Sequence, residues 1–233
     1  MLKKVVVTGV SSGIGLEITN KLLKLGYFVI GVSRDVKKVK FNSDNFDVIE
    51  ADLSDFNSTV KLCNLLKEKD VFMLVNAAGF GRFEPHEELD AKLIATMSFV
   101  NLTAPMLLTN ALLRSLKKNS GYLININSIE ALRSSKFAAL YSATKSGLKA
   151  FSDSLFEETR KSELSITNIN PDMTQTNFYD KLRFDVSDKD DEKLLATDIA
   201  DAVEHILSMR KGAVVSDYTI RSLKFAILKK TKR

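Results

Sequence analysis

Lys4-Val5-Val6-Val7-Thr8-Gly9-Val10-Ser11-Ser12-Gly13-Ile14-Gly15-Leu16 is the stretch that decides the fold. Lys4–Thr8 is a short β-branched run, the composition of a strand. From Leu16 to Leu25 the spacing changes, and Ile18, Leu22 and Leu25 recur on one face of a helix. Three glycines lie at the handover. A tight turn there needs positive φ, and without side chains the backbone N–H groups at the helix start can approach a diphosphate. The spacing is Gly-x-x-x-Gly-x-Gly, so the plain Gly-x-Gly-x-x-Gly fingerprint is not met. The strand before the loop and the helix after it make the case.

Outward from this unit the same alternation continues. Gly26 punctuates, and strands are expected at Tyr27–Ser33 and Asp47–Ala51. A helix over Asp55–Lys67 is expected to turn Val60, Leu62, Leu65 and Leu66 inward. Val71–Val75 reads as a buried strand ending at Asn76-Ala77-Ala78-Gly79. A long helix follows from about Glu87 to Lys117, with Pro105 as a kink because proline removes one helical hydrogen bond. Gly121–Asn127 is strand, Tyr141–Arg160 helix, and Ser165–Asn170 strand up to Pro171. Thr176–Leu195 is polar, with helix signals and no clear strand. A helix at Thr197–Met209 and a strand at Ala213–Ser216 complete the pattern.

Near-continuous apolar strands alternating with helices predict a parallel sheet covered on both faces. The fold class is a single doubly wound, Rossmann-type α/β domain over residues 1–233, with a mainly parallel seven-stranded sheet flanked by helices on both faces. Ligands of such sheets bind at the carboxyl ends of the strands, so the loops after the strands are where chemistry is expected.

Composition narrows the setting. The 233 residues are 45% hydrophobic and 27% charged, ordinary for a globular domain. The single Cys63 excludes an internal disulfide framework and suits a reducing compartment, so a cytoplasmic location is expected. No apolar run is seen to approach the roughly 20 residues of a membrane span, and the N-terminus lacks the marks of a signal peptide. Part of the net charge of +5 sits in the last ten residues, so no nucleic-acid partner is expected. Two histidines and one cysteine give no metal-ligand cluster.

The end of the second strand bears on which dinucleotide would bind. A carboxylate there would hydrogen-bond the ribose of NAD. Ser33 occupies that place and Arg34 follows, with Asp35 one step too late. An arginine fork suits a 2′-phosphate, and Ser11, Ser12 and Ser33 add small hydroxyl donors. NADP(H) is therefore favoured, with NAD(H) possible.

Tyr141 and Lys145 form a Tyr-x-x-x-Lys pair thirteen residues after Ser128, and the other four tyrosines have no lysine at that offset. Residues four apart share a helical face, so the Lys145 charge is expected to lower the Tyr141 pKa toward working pH, as a general acid/base requires. Ser128 ends a strand where it can hydrogen-bond the same substrate oxygen. Asn101 lies amid apolar neighbours and reads either as a satisfied buried amide or as a water-holding link in a proton relay.

Over roughly residues 3–210 the chain resembles the short-chain dehydrogenase/reductase family. The landmarks are Thr8-Gly9-x-x-x-Gly13-Ile14-Gly15, Asp52, Asn76-Ala77-Ala78-Gly79, Asn101, and Ser128 with Tyr141-x-x-x-Lys145. The resemblance implies that Tyr141 exchanges a proton with the substrate oxygen, Ser128 orients it, and Asn101 anchors a water relay. It also implies that Lys145 holds the nicotinamide ribose, Asp52 and Leu53 the adenine, and Asn76 to Gly79 the cofactor floor. Pro171, Thr174 and Thr176 would complete the cofactor site. Hydride would pass between the nicotinamide and a small carbonyl or alcohol substrate, in a homodimer or homotetramer.

The chain also departs from that family. Asp172 follows Pro171 where a glycine is usual, Ala77 replaces an asparagine, and about 172–196 would form the substrate loop. Glu130 is expected as an exposed loop carboxylate, the other reading being a pocket-facing selector for a cationic or hydroxylated substrate. Residues of about 220–233 form a divergent basic tail, readable as an amphipathic helix that covers the pocket, pairs subunits or, least expected, touches a membrane. Two readings of other kinds stay open. One is a dinucleotide sensor without turnover, against which the intact Ser128, Tyr141 and Lys145 argue. The other is a nucleotide-sugar epimerase or dehydratase, whose glycine spacing and longer C-terminal region are absent.

Overall fold

The computed structural model describes residues 2–230, so the last three residues of the basic tail lie outside the described part. Seven strands form one sheet. These are β1 (Lys4–Thr8), β2 (Phe28–Ser33), β3 (Phe46–Glu50), β4 (Val71–Asn76), β5 (Tyr122–Ile126), β6 (Ser165–Pro171) and, after three two-residue strands, β10 (Asp217–Ile220). Their spatial order is β10-β6-β5-β4-β1-β2-β3, and every pairing is parallel.

β1 shows why these strands read as unbroken apolar runs. Val5 and Val7 face a core shared with α1 (Gly13–Lys24) and α6 (Ala196–Ser208). Val6 faces the opposite core, under α2 (Phe56–Lys67), α4 (Ala104–Lys118) and α5 (Ala139–Thr159). With both faces covered, alternation disappears. From β1 the chain winds outward to β3, then returns to the other side of β1 with β4. The reversal opens a crevice beyond the carboxyl ends of β1 and β4.

The long central helix has three parts: α3 (Ala91–Ser98), a π-helical turn over Phe99–Thr103, and α4. Asp90 caps it, accepting from Leu93 N at 2.7 Å, so it starts at Ala91 and not at Glu87. Pro105 lies in the first turn of α4 and lacks the N–H that an α-helix would aim at the Asn101 carbonyl. The irregularity expected at the proline is therefore taken up one turn earlier, as a π turn around Asn101. Ala91–Lys118 is also long and apolar enough, by length and composition, to cross a membrane, which corrects the reading that no run approaches that length. Its Met97, Leu108, Leu112 and Leu116 are buried in the cores of this domain.

Other expectations shift. In α2, Thr59 and Cys63 take inward positions with Leu62 and Leu66, while Leu65 is exposed and Val60 only half-buried. The seventh strand is Asp217–Ile220, not Ala213–Ser216, because Asp217 is held by Lys149 at 3.1 Å and Asn170 at 3.1 Å beside β6. The segment read as strandless contains β7 (Thr174–Gln175), β8 (Phe184–Asp185) and β9 (Leu194–Leu195), with β7 paired to β9. The tail is not a helix. It runs as an extended strap whose β11 (Leu228–Lys229) pairs antiparallel with β8.

Candidate active site

The glycine loop sits at the crevice. Gly9 has φ +75°, and a Cβ there would lie 3.1 Å from Ala78 Cα. The Thr8 hydroxyl accepts from Ala77 N and Ala78 N, both at 3.0 Å, and so fixes the loop after β4 beside the loop after β1. Gly13 (φ +57°) faces Thr176, since a Cβ on it would stand 3.1 Å from Thr176 Cγ2. Ser12 precedes α1 without a side-chain cap, and the first turn of α1 has no acidic residue. The helix start thus keeps its N–H groups and its positive end for an anion. Ser11 is half-buried and Ser12 exposed at the same mouth.

At the end of β2, Ser33 is buried, and its hydroxyl donates to Asp35 O at 3.1 Å. Arg34 is exposed with no ion-pair partner among the described residues, whereas Asp35 is engaged by Lys37 N and Lys38. After β3, Asp52 accepts from Ser54 N at 2.9 Å, and Leu53 is buried beside it. Gly9, Gly13, Gly15 and the uncapped helix start suit a diphosphate, and the unpaired Arg34 suits a further phosphate. The donor set therefore fits a dinucleotide.

The proposed catalytic residues converge at the next strand. Ser128 lies two residues past β5, and its hydroxyl accepts from Glu130 N at 3.1 Å. Tyr141 and Lys145 occupy successive turns of α5, 6% and 5% exposed. Lys145 Nζ donates to Ile126 O at 2.8 Å, tying α5 to the end of β5, and lies 5.9 Å from the Tyr141 ring centroid. Phe83 and Phe178 pack on the Tyr141 ring at 5.2 and 5.7 Å between centroids.

The electrostatics correct one expectation. Burial pushes the Tyr141 phenol up to about 12, with the Ser128 hydroxyl acting the other way and the Glu130 charge raising it further. Burial likewise pulls Lys145 down to about 8. In the protein alone, desolvation outweighs the pull that Lys145 was expected to exert on the tyrosine.

Asn101 is fully buried, and its amide is spent on protein. It accepts from Phe80 N at 3.1 Å and donates to Phe80 O at 2.9 Å and to the Thr144 hydroxyl at 3.2 Å. The side chain is thus the satisfied buried amide, and it latches the loop after Gly79 to α5. At Gly79 a Cβ would stand 3.2 Å from Asn101 Oδ1 and 3.6 Å from Lys145 Nζ.

Ser128 and Tyr141 open onto a cavity of about 800 Å³ that Ile14, Pro171, Thr174 and Thr176 also line. Here the structure decides between readings that the sequence left open. Glu130, expected exposed, is 5% exposed and lines the cavity. Its carboxylate is held by Arg133 Nε at 2.9 Å and by the Ser135 and Ser142 hydroxyls at 2.8 and 3.2 Å. Asp172 does not use the left-handed backbone that a glycine would permit. Its buried carboxylate takes Arg221 Nε at 3.1 Å and Met173 N at 3.0 Å. The two departures from the family pattern, Asp172 and the tail, are therefore one feature. Phe225 and Ile227 of the strap join the cavity wall.

A ladder of asparagines behind the site carried a signal that was available. Asn125 on β5 and Asn127 just past its end, and Asn168 and Asn170 on β6, recur with period two and so share one sheet face. Asn76 Nδ2 donates to Asn125 Oδ1 at 2.8 Å, Asn125 Nδ2 to Ser152 Oγ at 2.8 Å, and Asn127 Nδ2 to Asn168 Oδ1 at 2.9 Å. These bonds tie β4, β5 and β6 together next to Ser128. Among the described residues no cluster of His, Cys, Asp and Glu forms a metal site.

The chain is similar to known proteins. The model of the short chain dehydrogenase family matches residues 3–187. An uncharacterized oxidoreductase of Staphylococcus saprophyticus is 30% identical over 230 residues, covering 94% of this chain and 97% of that protein. The structure of an alcohol dehydrogenase from the archaeon Thermococcus sibiricus, complexed with 5-hydroxy-NADP, is 25% identical with TM-score 0.84, covering 96% of this chain and 97% of that one. A metagenomic short-chain oxidoreductase in complex with NADP is 26% identical with TM-score 0.76, covering 94% and 96%. With the family pattern matched across most of its length and its relatives spanning both ends of the fold, the chain belongs to the short-chain dehydrogenases, oxidoreductases that act on CH–OH groups.

Proposed function

We propose that this protein interconverts a carbonyl and an alcohol by hydride transfer, with NADP(H) preferred and NAD(H) accepted. The observation that carries the reading is that Ser128 and Tyr141 open onto one largely apolar cavity beside the glycine loop, with Lys145 on the next turn behind Tyr141. The nicotinamide supplies or accepts the hydride when bound. Tyr141 donates a proton to the developing alkoxide, or takes one from the alcohol. Ser128 holds that oxygen in line by hydrogen bonding, and its contact with the phenol favours the tyrosinate form. Lys145, held by Ile126 O with its Nζ 5.9 Å from the Tyr141 ring centroid, would bind the nicotinamide ribose. The Asn101 carbonyl, denied a proline N–H, is the atom we assign to a relay water, while its amide positions the Phe80 loop.

For the cofactor, Gly9, Ser11, Ser12, Gly13, Ile14 and Gly15 cradle the diphosphate. Asp52 and Leu53 border the adenine, and Asn76, Ala77, Ala78 and Gly79 form the floor. Pro171, Thr174 and Thr176 close over the nicotinamide side. Ser33 and Arg34 take the 2′-phosphate, a choice supported by the unpaired Arg34 and by the NADP forms held in two relatives. We read residues 1–233 as one domain, with 172–196 and the strap shaping the substrate side. Self-association through the apolar outer side of Ala91–Lys118, where Met106 is exposed, and a cytoplasmic location complete the proposal. A panel of ketones, aldehydes and alcohols run with NADPH and NADH tests the reading. Turnover with NADPH favoured is expected, and no turnover with any member contradicts it.

A further inference from the structure

The cavity walls are aromatic on the side facing Tyr141. Phe83 touches Tyr141, Phe178 and Phe184 at 5.2, 6.4 and 5.3 Å between centroids, and Tyr179 extends the set through Phe178 and Phe184 at 5.2 and 5.9 Å. The strap adds Phe225 and Ile227, which line the cavity while 57% and 46% exposed. That is apolar surface left in water unless something apolar enters the cavity. The strap is held in place at three points. Arg221 meets Asp172 at 3.1 Å, Lys224 meets Asp191 at 2.7 Å, and Lys230 meets Asp185 at 3.0 Å, around the β8–β11 pairing.

The charges lining the cavity do not cancel. Glu130 and Asp172 are buried and fully engaged, by Arg133 and by Arg221. Lys230 is taken by Asp185, and Arg183 by Glu88 at 3.5 Å. Two cations remain: Lys136, just before α5, and Lys229, on the strap. Both line the cavity, both are exposed, and neither has a carboxylate within ion-pair distance among the described residues. A cationic ligand finds no free carboxylate here, and an anionic one finds two ammonium groups without a carboxylate partner among the described residues, Lys136 resting 4.9 Å from the Phe137 ring centroid.

We propose that the substrate is a carbonyl compound with an apolar body and an anionic far end, the body lying on the aromatic wall and Phe225, the anion meeting Lys136 and Lys229. This deepens the oxidoreductase reading of the same site and rests on it. The strap is then a specificity element, because it supplies both an apolar wall residue and one of the two cations.

The test uses the full chain with NADPH and two matched ketones: para-butylacetophenone, and its analogue in which the terminal methyl is a carboxylate. The carboxylate is expected to have a kcat/KM about tenfold higher, the sum of two exposed ion pairs. Lys136→Glu and Lys229→Glu should each lower that advantage about fivefold through KM, with kcat kept and the neutral ketone unaffected. Added salt should erode the preference in the wild type. Equal use of the two ketones, or a preference that neither substitution changes, overturns the substrate class and leaves the oxidoreductase reading standing. Failure of every carbonyl with either cofactor overturns both.

Discussion

Replacing Lys145 should strengthen the fold while removing the chemistry. Lys145 is 5% exposed, and among the described residues its ammonium has one hydrogen bond, to Ile126 O at 2.8 Å. Burial lowers it from 10.5 to about 8. That drop corresponds to ~3 kcal/mol by which folding disfavours the charged side chain. Lys145→Met keeps the length and apolar stem, removes the buried charge, and forfeits a hydrogen bond of ~1 kcal/mol. The variant without bound cofactor should gain ~2 kcal/mol at pH 7, or about 4–8 °C in Tm for a domain of this size. The sign follows from linkage. Between about 8 and 10.5 the unfolded chain binds more protons at Lys145 than the folded one, so wild-type stability rises with pH across that window. The variant lacks this rise, so its advantage is full below about 8 and closes toward 10.5. Urea unfolding at neutral and at alkaline pH reads both effects. A variant less stable than wild type at pH 7, or a gap indifferent to pH, would refute the reasoning.

Arg34→Ala should weaken NADPH about tenfold or more, the range for a charge-assisted phosphate contact, with NADH little changed; equal loss for both cofactors in a binding titration would remove the 2′-phosphate assignment. Asp172→Asn and Arg221→Met, singly and together, should show a coupling energy of ~1 kcal/mol in denaturant unfolding, kept modest because the Arg221 side chain is 56% exposed. Additive effects would mean that the strap is not anchored there.

What was legible in the sequence follows from range. The glycine loop, the buried strands and the Tyr141–Lys145 spacing are local patterns, and each element of the main sheet was visible within a few residues. β10 was misplaced because Asp217-Tyr218-Thr219-Ile220 alternates, as a half-covered edge strand does, while the flanking Ala213-Val214-Val215 is more apolar. The strap was read as a helix because Ile220, Leu223 and Ile227 fall at helical spacing. What holds it extended is Asp172, Asp185 and Asp191, all more than thirty positions away in sequence. Burial of Glu130 was hidden for a different reason: its partners Arg133, Ser135 and Ser142 are near in sequence but look like ordinary polar loop and helix residues. Nothing local shows that desolvation, and not Lys145, dominates the Tyr141 phenol.

The central claim is that Tyr141 moves the substrate proton. Tyr141→Phe keeps the ring against Phe83 and Phe178 and deletes only the hydroxyl. NADPH oxidation with an accepted ketone, measured beside the NADPH dissociation constant, is the direct test. The account predicts turnover reduced by about 10²–10⁴, the range for a positioned general acid, with cofactor binding nearly unchanged. Turnover that survives the substitution would contradict it.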